Sequence, residues 1–152
     1  MSAQANIVAF DGAATPVTHT FVPVSAAKDP KSGELIATWR EALATVPAYA
    51  QITVETRQKR MASGVYRVAT VVSVPVMEAV SGQNAAGYTA APKVAYVNTM
   101  QIVGYFHERS TIAERRLARQ LAVNIAGSIA TSVTPVQTGP VPELIDQLVT
   151  AS

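Results

Sequence analysis

The hydrophobic pattern of this chain changes its period once, near residue 108, and this change limits the folds that the chain can adopt. Before it, apolar and polar side chains alternate, as they do from Tyr66 to Val76. After it, apolar residues recur at helical spacing, at Leu117, Leu121, Ile125 and Ile129. A period of two is typical of half-buried strands, and a period of about 3.6 is typical of amphipathic helices. Consecutive strands followed by helices predict an α+β fold, with the helices segregated from an antiparallel sheet.

Turn residues divide the strand region into an N-terminal β-hairpin at about residues 6–24 and a sheet at about residues 34–106. Within the sheet, strands are predicted at Tyr49 to Arg57, Tyr66 to Val76 and Val94 to Phe106, and QKRMASG is predicted to join the first two. The segment LIATWREALATVP fits a short strand as well as a helix.

Two α-helices are predicted after the sheet, at about residues 111–129 and 142–150. Thr111 and Glu114 have the spacing of a capping box, in which each side chain bonds the backbone N–H of the other residue. Pro142 suits the first turn of the second helix. Because no linker and no internal repeat is visible, residues 1–152 are predicted to form a single domain.

The chain has few charges with which to cover a surface. Only 14% of its residues are charged, which is low for a monomer. Two helices also cover one face of a sheet poorly, so we expect a second copy of the chain to contribute its own pair. No apolar run reaches the length of a membrane span, and the N-terminus lacks the pattern of a secretory signal. We therefore expect association with copies of the chain and not with a membrane.

The sequence offers no candidate catalytic, metal or cofactor site. Cysteine is absent, which excludes disulfides, thiolate ligands and a cysteine nucleophile. His19 and His107 are far apart, neither has a carboxylate at metal-ligand spacing, and nucleophile and nucleotide-binding motifs are missing. We therefore predict no enzymatic activity and no small-molecule substrate. The alternative, a small α+β enzyme, requires one of these histidines to lie in a pocket beside a carboxylate.

Basic residues are concentrated in two segments, although the net charge is only +2. These segments contain Arg57, Lys59, Arg60 and Arg67, and then Arg109, Arg115, Arg116 and Arg119. Clustered basic residues on a nearly neutral chain indicate a polyanionic partner. A solvated surface explains the same clusters equally well, so the charge pattern leaves both interpretations open.

Polar side chains on the sheet strands predict an RNA-binding surface if these strands pair side by side. Its candidate residues are Gln51, Thr53, Glu55, Arg57, Arg67, Ser73, Tyr96 and Asn98. Arginines would hold phosphates, Tyr96 would stack on an unpaired base, and side chains such as Asn98 would bind base edges. A plain solvated face is the alternative, because Glu55 and the apolar Ala69 and Val71 dilute the positive charge of this surface.

The order of several short motifs resembles the coat proteins of the single-stranded RNA bacteriophages, the leviviruses, over nearly the whole chain. NIVAFDGAATPVTHTFVPV is similar to the opening hairpin of that family, and the tail after Ser110 is similar to its two helices. TRQ at residues 56–58 and VSVP at residues 72–75 resemble the ends of its two central strands. AYVNTMQIVGYF resembles the strand that carries Tyr-x-Asn, here at Tyr96 and Asn98.

This resemblance implies an interlocked homodimer, in which the helices of each chain lie across the partner's sheet and the two sheets join into one of ten strands. Such dimers would assemble into an icosahedral T=3 capsid around single-stranded genomic RNA, after synthesis in the host bacterial cytoplasm. The inner sheet face would bind an RNA hairpin and repress translation, and the loop at residues 79–93 would make contacts around the symmetry axes. A dimeric nucleic-acid-binding regulator that forms no shell is the alternative.

The resemblance also assigns roles to single residues. The RNA-facing positions of the family are matched by Thr53, Arg57 and Arg67 on the central strands and by Tyr96 and Asn98 on the next. Three further positions depart from the family pattern and carry Glu55, Ala69 and Val71 in place of a small polar residue, a threonine and a lysine. A lost lysine and a gained carboxylate weaken the expected recognition of a hairpin, but they do not affect the expected shell.

Overall fold

In the computed structural model, which describes residues 3–79, 82, 85–130 and 134–152, one antiparallel sheet is followed by two helices. Within these residues the strands are β1 (Ile7–Phe10), β2 (Thr18–Lys28), β3 (Leu35–Glu41), β4 (Thr53–Arg60), β5 (Val65–Met77) and β6 (Val94–His107). The helices are α1 (Ile112–Ala126) and α2 (Pro140–Asp146), and among the described residues neither is a candidate for spanning a membrane. Each strand pairs with the next one along the chain. The predicted α+β order of strands before helices is confirmed.

The structure moves several of the predicted element boundaries. LIATWRE forms the strand β3, and the predicted start of the next strand is a 3-10 turn at Ala48–Ala50. β4 extends through Arg60, so the predicted connection QKRMASG shrinks to a tight turn in which the N–H of Met61 bonds the carbonyl of Val65 at 2.8 Å. Gly64 closes this turn at φ +80°, a left-handed conformation that favours glycine.

The predicted capping box at the start of α1 is confirmed. The N–H of Thr111 donates to Glu114 Oε2 at 2.7 Å, and the N–H of Glu114 donates to Thr111 Oγ1 at 3.3 Å. The helix ends at Ala126, with Gly127 as its C-cap, so Ile129 lies beyond the helix that was predicted to include it. A glycine ends helices readily because its backbone loses more entropy in a helix than that of other residues.

Alternation along the strands gives the sheet two different faces. On β4, Val54, Thr56 and Gln58 are buried on the side where Leu144 of α2 packs against Val68 of β5, and we call this side the covered face. Gln58 Nε2 also donates to the carbonyl of Leu148 at 2.7 Å, which fixes the chain after α2 on the same side. The intervening residues of each strand point to the opposite side, which no described helix covers, and we call it the open face.

The second basic segment holds the two helices together. Asp146 of α2 is 0% exposed, and it accepts bonds from Arg116 Nε at 3.0 Å and from Arg119 Nε and Nη2, each at 2.9 Å. Arg115 Nε donates to the backbone carbonyl of Asp146 at 2.8 Å. Burial opposes ionisation of Asp146, but the hydrogen bonds from Arg119 and Arg116 outweigh it and lower the pKa of this carboxyl. These arginines therefore serve folding, which neither interpretation of the basic segments anticipated.

His19 links the β1–β2 turn to the end of β3. Its Nδ1 lies 2.7 Å from Glu41 Oε1, and its Nε2 lies 3.6 Å from Asp11 Oδ2. The bond to Glu41 raises the pKa of His19 above its ordinary value of 6.5, although burial opposes this change. Protonated His19 therefore bridges two carboxylates.

This bridge predicts a pH-dependent stability. Since the pKa of His19 is raised by folding, its contribution is complete below about pH 6.5 and is lost as the pH rises through the folded pKa. We expect the thermal midpoint to fall over that range, and we expect the fall to be smaller in His19→Gln. Thermal melts of both proteins from pH 6 to 9 check this, and an identical fall in the variant would contradict it.

Candidate nucleic-acid interface

Four rows of side chains run across the strands of the open face. From the β3–β4 loop towards the β4–β5 turn, they are Arg40, Thr53, Ser73 and Thr99; Thr38, Glu55, Val71 and Gln101; Ile36, Arg57, Ala69 and Val103; and Lys59, Arg67 and Tyr105. Side chains at directly opposed positions on neighbouring strands lie on the same face and within contact distance. Each row is therefore a contiguous strip of surface.

Five of the eight predicted RNA-binding residues lie on this face, namely Thr53, Glu55, Arg57, Arg67 and Ser73. Gln51 does not join them, because it is buried before β4 begins. Its Nε2 donates to the carbonyls of Leu43 at 2.8 Å and Val46 at 2.9 Å, so this side chain holds the β3–β4 loop in place.

The prediction that Tyr96 and Asn98 share a face with the other candidates is wrong. In the β5–β6 register Asn98 opposes Val74 and Met100 opposes Val72, which places the even-numbered positions from Tyr96 to Phe106 on the covered face. The sequence contained a signal for this, because Met100 and Ile102 have the same parity as Tyr96. The alternate positions of β6 that hold these apolar residues face the helices. Tyr96 and Asn98 belong to the same set of positions, so they lie on that side too.

The sequence reasoning missed the residues that β6 does place on the open face, and it missed Arg40 on β3. The register assigns Thr99, Gln101 and Tyr105 to this face, and Tyr105 is 62% exposed. Correct parity along β6 identifies all of them, and Arg40 follows from the assignment of β3 as a strand.

Carboxylates neutralise part of the positive charge of the open face. Arg57 donates from Nη2 at 2.7 Å and Nε at 3.1 Å to the same oxygen of Glu55, and Arg67 Nη1 lies 2.9 Å from Glu34 Oε1. Arg60, from the same basic segment, is not on this face, since it opposes Tyr66 and pairs with Glu108.

Two other cations on the open face stay free for an anion. Among the described residues, Lys59 and Arg40 have no carboxylate within ion-pair distance. The available positive charge is therefore at the two ends of the face, and its centre is occupied by the Arg57–Glu55 pair.

The enzyme alternative asked for a histidine in a pocket beside a carboxylate, and His19 comes close to that arrangement. It lines a groove of about 350 Å³ on the covered face, next to Glu41. However, Asp11 and Glu41 engage both of its ring nitrogens, so neither nitrogen is free to take a proton from a substrate. No group of acidic and histidine side chains in the described part of the chain is arranged to hold a metal ion.

The sequence matches the levivirus coat protein family over residues 2–146. The chain belongs to this family. The coat protein of bacteriophage EMS014 is 33% identical, with a TM-score of 0.67 over 88% of this chain and 81% of that chain. The chain of the virus-like particle of bacteriophage EMS014 is 28% identical, with a TM-score of 0.72 over 99% of both chains. That of the virus-like particle of Beihai levi-like virus 21 is 25% identical, with a TM-score of 0.62 over 89% and 98%.

Comparison with curated proteins gives no match. Family membership and the shared fold confirm the resemblance found in the sequence. As a levivirus coat protein, the chain is a structural subunit of the capsid, it is located in the virion, and it is not an enzyme.

Proposed function

We propose that this levivirus coat protein assembles into a closed shell through interlocked dimers and packages single-stranded RNA against its open face. The main observation in favour of the dimer concerns the free edge of β6. This strand, Val94–His107, pairs with β5 along one edge, and no described strand lies along its other edge. A long, unprotected edge strand is a template for pairing with another chain. A second copy supplies that partner with the same strand, related by a two-fold axis.

Helix α1 supports the same arrangement. It packs on α2 and hardly touches its own sheet, so Leu121 and Ile125 are 52% and 77% exposed. On the covered face, an apolar groove lined by Phe10, Phe21 and Val72 lies open between the β1–β2 hairpin and β5. In an interlocked dimer, the α1 helices of the two chains cover the exposed parts of each other's sheets. Because the described part of each chain contributes six strands, the joined sheet would have twelve strands and not the ten implied by the resemblance.

The virus-like particles formed by relatives support assembly of such dimers into a shell. We propose an icosahedral T=3 shell, formed after synthesis of the protein in the cytoplasm of the bacterial host. Contacts around the symmetry axes are assigned to the loop at residues 79–93, of which residues 80, 81, 83 and 84 lie outside the described part of the chain.

Packaging of RNA is assigned to the open face because this face has no helical cover and exposes cations and hydroxyls to solvent. Arg40 and Lys59 provide charge for phosphates, and Thr53 and Ser73 provide hydroxyl groups for sugar and base edges. Repression of translation through an RNA hairpin is a finer proposal, supported by Thr53, Arg57 and Arg67. Because Glu55 holds Arg57, we expect hairpin binding to be weaker than it would be with a small polar residue at position 55.

Glu55→Gln is expected to strengthen RNA binding, because it releases Arg57 from its ion pair and removes a negative charge from the centre of the face. We expect an increase in affinity of about fivefold, equivalent to roughly 1 kcal/mol. Arg57→Gln, its matched control, should have the opposite effect. Fluorescence anisotropy with a labelled RNA measures both, and equal affinities in the two variants would show that RNA does not reach this face.

Negative-stain electron microscopy of the purified protein, with a nuclease-protection assay on the same sample, tests the whole proposal. We expect uniform closed particles that contain protected RNA. Closed particles without protected RNA would support the proposed shell and contradict the proposed packaging of RNA. A dimer that forms no particles at any salt or protein concentration would reject the shell in favour of a nucleic-acid-binding regulator.

A further inference from the structure

The row of the open face nearest the β4–β5 turn contains an aromatic side chain that packing does not explain. Tyr105 is 62% exposed, and in the described chain it makes no hydrogen bond and no contact with another ring. Its cross-strand neighbour is Arg67, and the next residue in the row is Lys59. A large ring that is exposed beside cations is not stabilised by burial. Its position therefore favours the binding of a ligand with a flat face.

The charges around Tyr105 indicate the charge that such a ligand should carry. Lys59 has no acidic partner among the described residues, and Arg67 uses Nη1 for Glu34 but keeps other N–H groups available. His107 also lies on the open face, opposite Val65, and its Nδ1 accepts the N–H of Arg109 at 3.2 Å. The surroundings of the ring are therefore basic, with Glu34 as the nearest paired acid.

We propose that Tyr105, Lys59 and Arg67 form a stacking subsite for one unpaired base of single-stranded RNA, with the cations binding its flanking phosphates. An exposed ring beside cations is an arrangement that proteins use to hold single strands without reading their sequence. The subsite rests on the proposed function, since it requires that the open face meets RNA. It is separate from the Arg40 row, because six residues of β4 place the two rows about 20 Å apart.

Tyr105→Ala and Tyr105→Phe, tested on dissociated subunits with a labelled single-stranded RNA, separate stacking from other roles. Stacking on an aromatic ring is worth about 1–3 kcal/mol per base, so we expect Tyr105→Ala to weaken binding by about tenfold. Tyr105→Phe keeps the ring and should stay within about twofold of the unchanged protein. With an abasic strand of the same length, all three proteins should bind equally. Lys59→Gln should lower the salt slope by about 0.7 for a single strand.

Each other result overturns a defined part of this inference. If Tyr105→Ala binds RNA like the unchanged protein, the subsite is wrong but the open face is still an RNA surface. If Tyr105→Phe is as weak as Tyr105→Ala, the hydroxyl and not the ring is used. If Tyr105→Ala loses its dimer, the ring is a contact between copies. If the unchanged protein fails to bind the RNA at low salt, the proposed function itself fails.

Discussion

Replacing both Leu121 and Ile125 with aspartate is expected to abolish particles and leave each chain folded. The two side chains are 52% and 77% exposed, so the substitutions remove little packing within one chain. In the proposed interlocked dimer, the same positions would be buried against the partner. Burying an unpaired carboxylate costs several kcal/mol, and the variant would bury two of them. This cost would prevent association of a dimer of ordinary affinity.

Light scattering after size-exclusion chromatography and electron microscopy measure this outcome, and circular dichroism confirms that the chain is folded. The matched control replaces the same two residues with methionine, which keeps the apolar surface and should preserve particles. Normal particles from the aspartate variant would show that the α1 stripe is not an interface, and the interlocked arrangement would then be rejected.

Asp146→Ala is expected to produce a large loss of stability. Removing one partner of a buried ion pair typically costs about 3–5 kcal/mol, because the remaining charge is left without compensation. Here one carboxylate, 0% exposed, serves both Arg116 and Arg119. Since folding lowers the pKa of Asp146, its contribution is complete above the ordinary value of 3.8 and is lost only as the pH falls through the lowered pKa.

Denaturant unfolding at one fixed protein concentration measures the effect of Asp146→Ala, because the apparent stability of a chain that dimerises would depend on concentration. Asp146→Asn should give an intermediate loss, since it preserves the shape of the side chain and removes its charge. Glu78→Gln, at an exposed position, should leave the unfolding midpoint unchanged. A loss below about 1 kcal/mol in Asp146→Ala would mean that α2 is held by its apolar contacts alone.

Local patterns in the sequence predicted much of the fold. The change of period located the end of the sheet, and the spacing of Thr111 and Glu114 identified the start of α1. Both signals act within a few residues, so no knowledge of tertiary structure is needed to interpret them. The order of motifs also identified the family.

The rest depends on contacts between distant segments, which no local pattern records. The partners of Asp146 lie 27 and 30 positions earlier in the chain, so Arg116 and Arg119 looked like a surface cluster. The face chosen by Tyr96 depends on the pairing of β6 with β5, where a shift of one residue exchanges the two faces. The structure therefore brings the candidate residues of β4 and β5 to one face, as predicted, and places those of β6 on the other.

The meander order of the sheet links folding of one chain to its recognition by another. Each strand pairs with the one before it, so adding the strands in chain order would need only short-range steps that cost little loop-closure entropy. β6 is the last strand in this order, and it is also the edge assigned to the partner. A chain that stalls before completing its sheet thus presents no β6 edge in the correct register. In the proposed assembly, such a chain would offer no edge to a partner and would not enter the shell, so completion of the sheet would act as a check on each subunit.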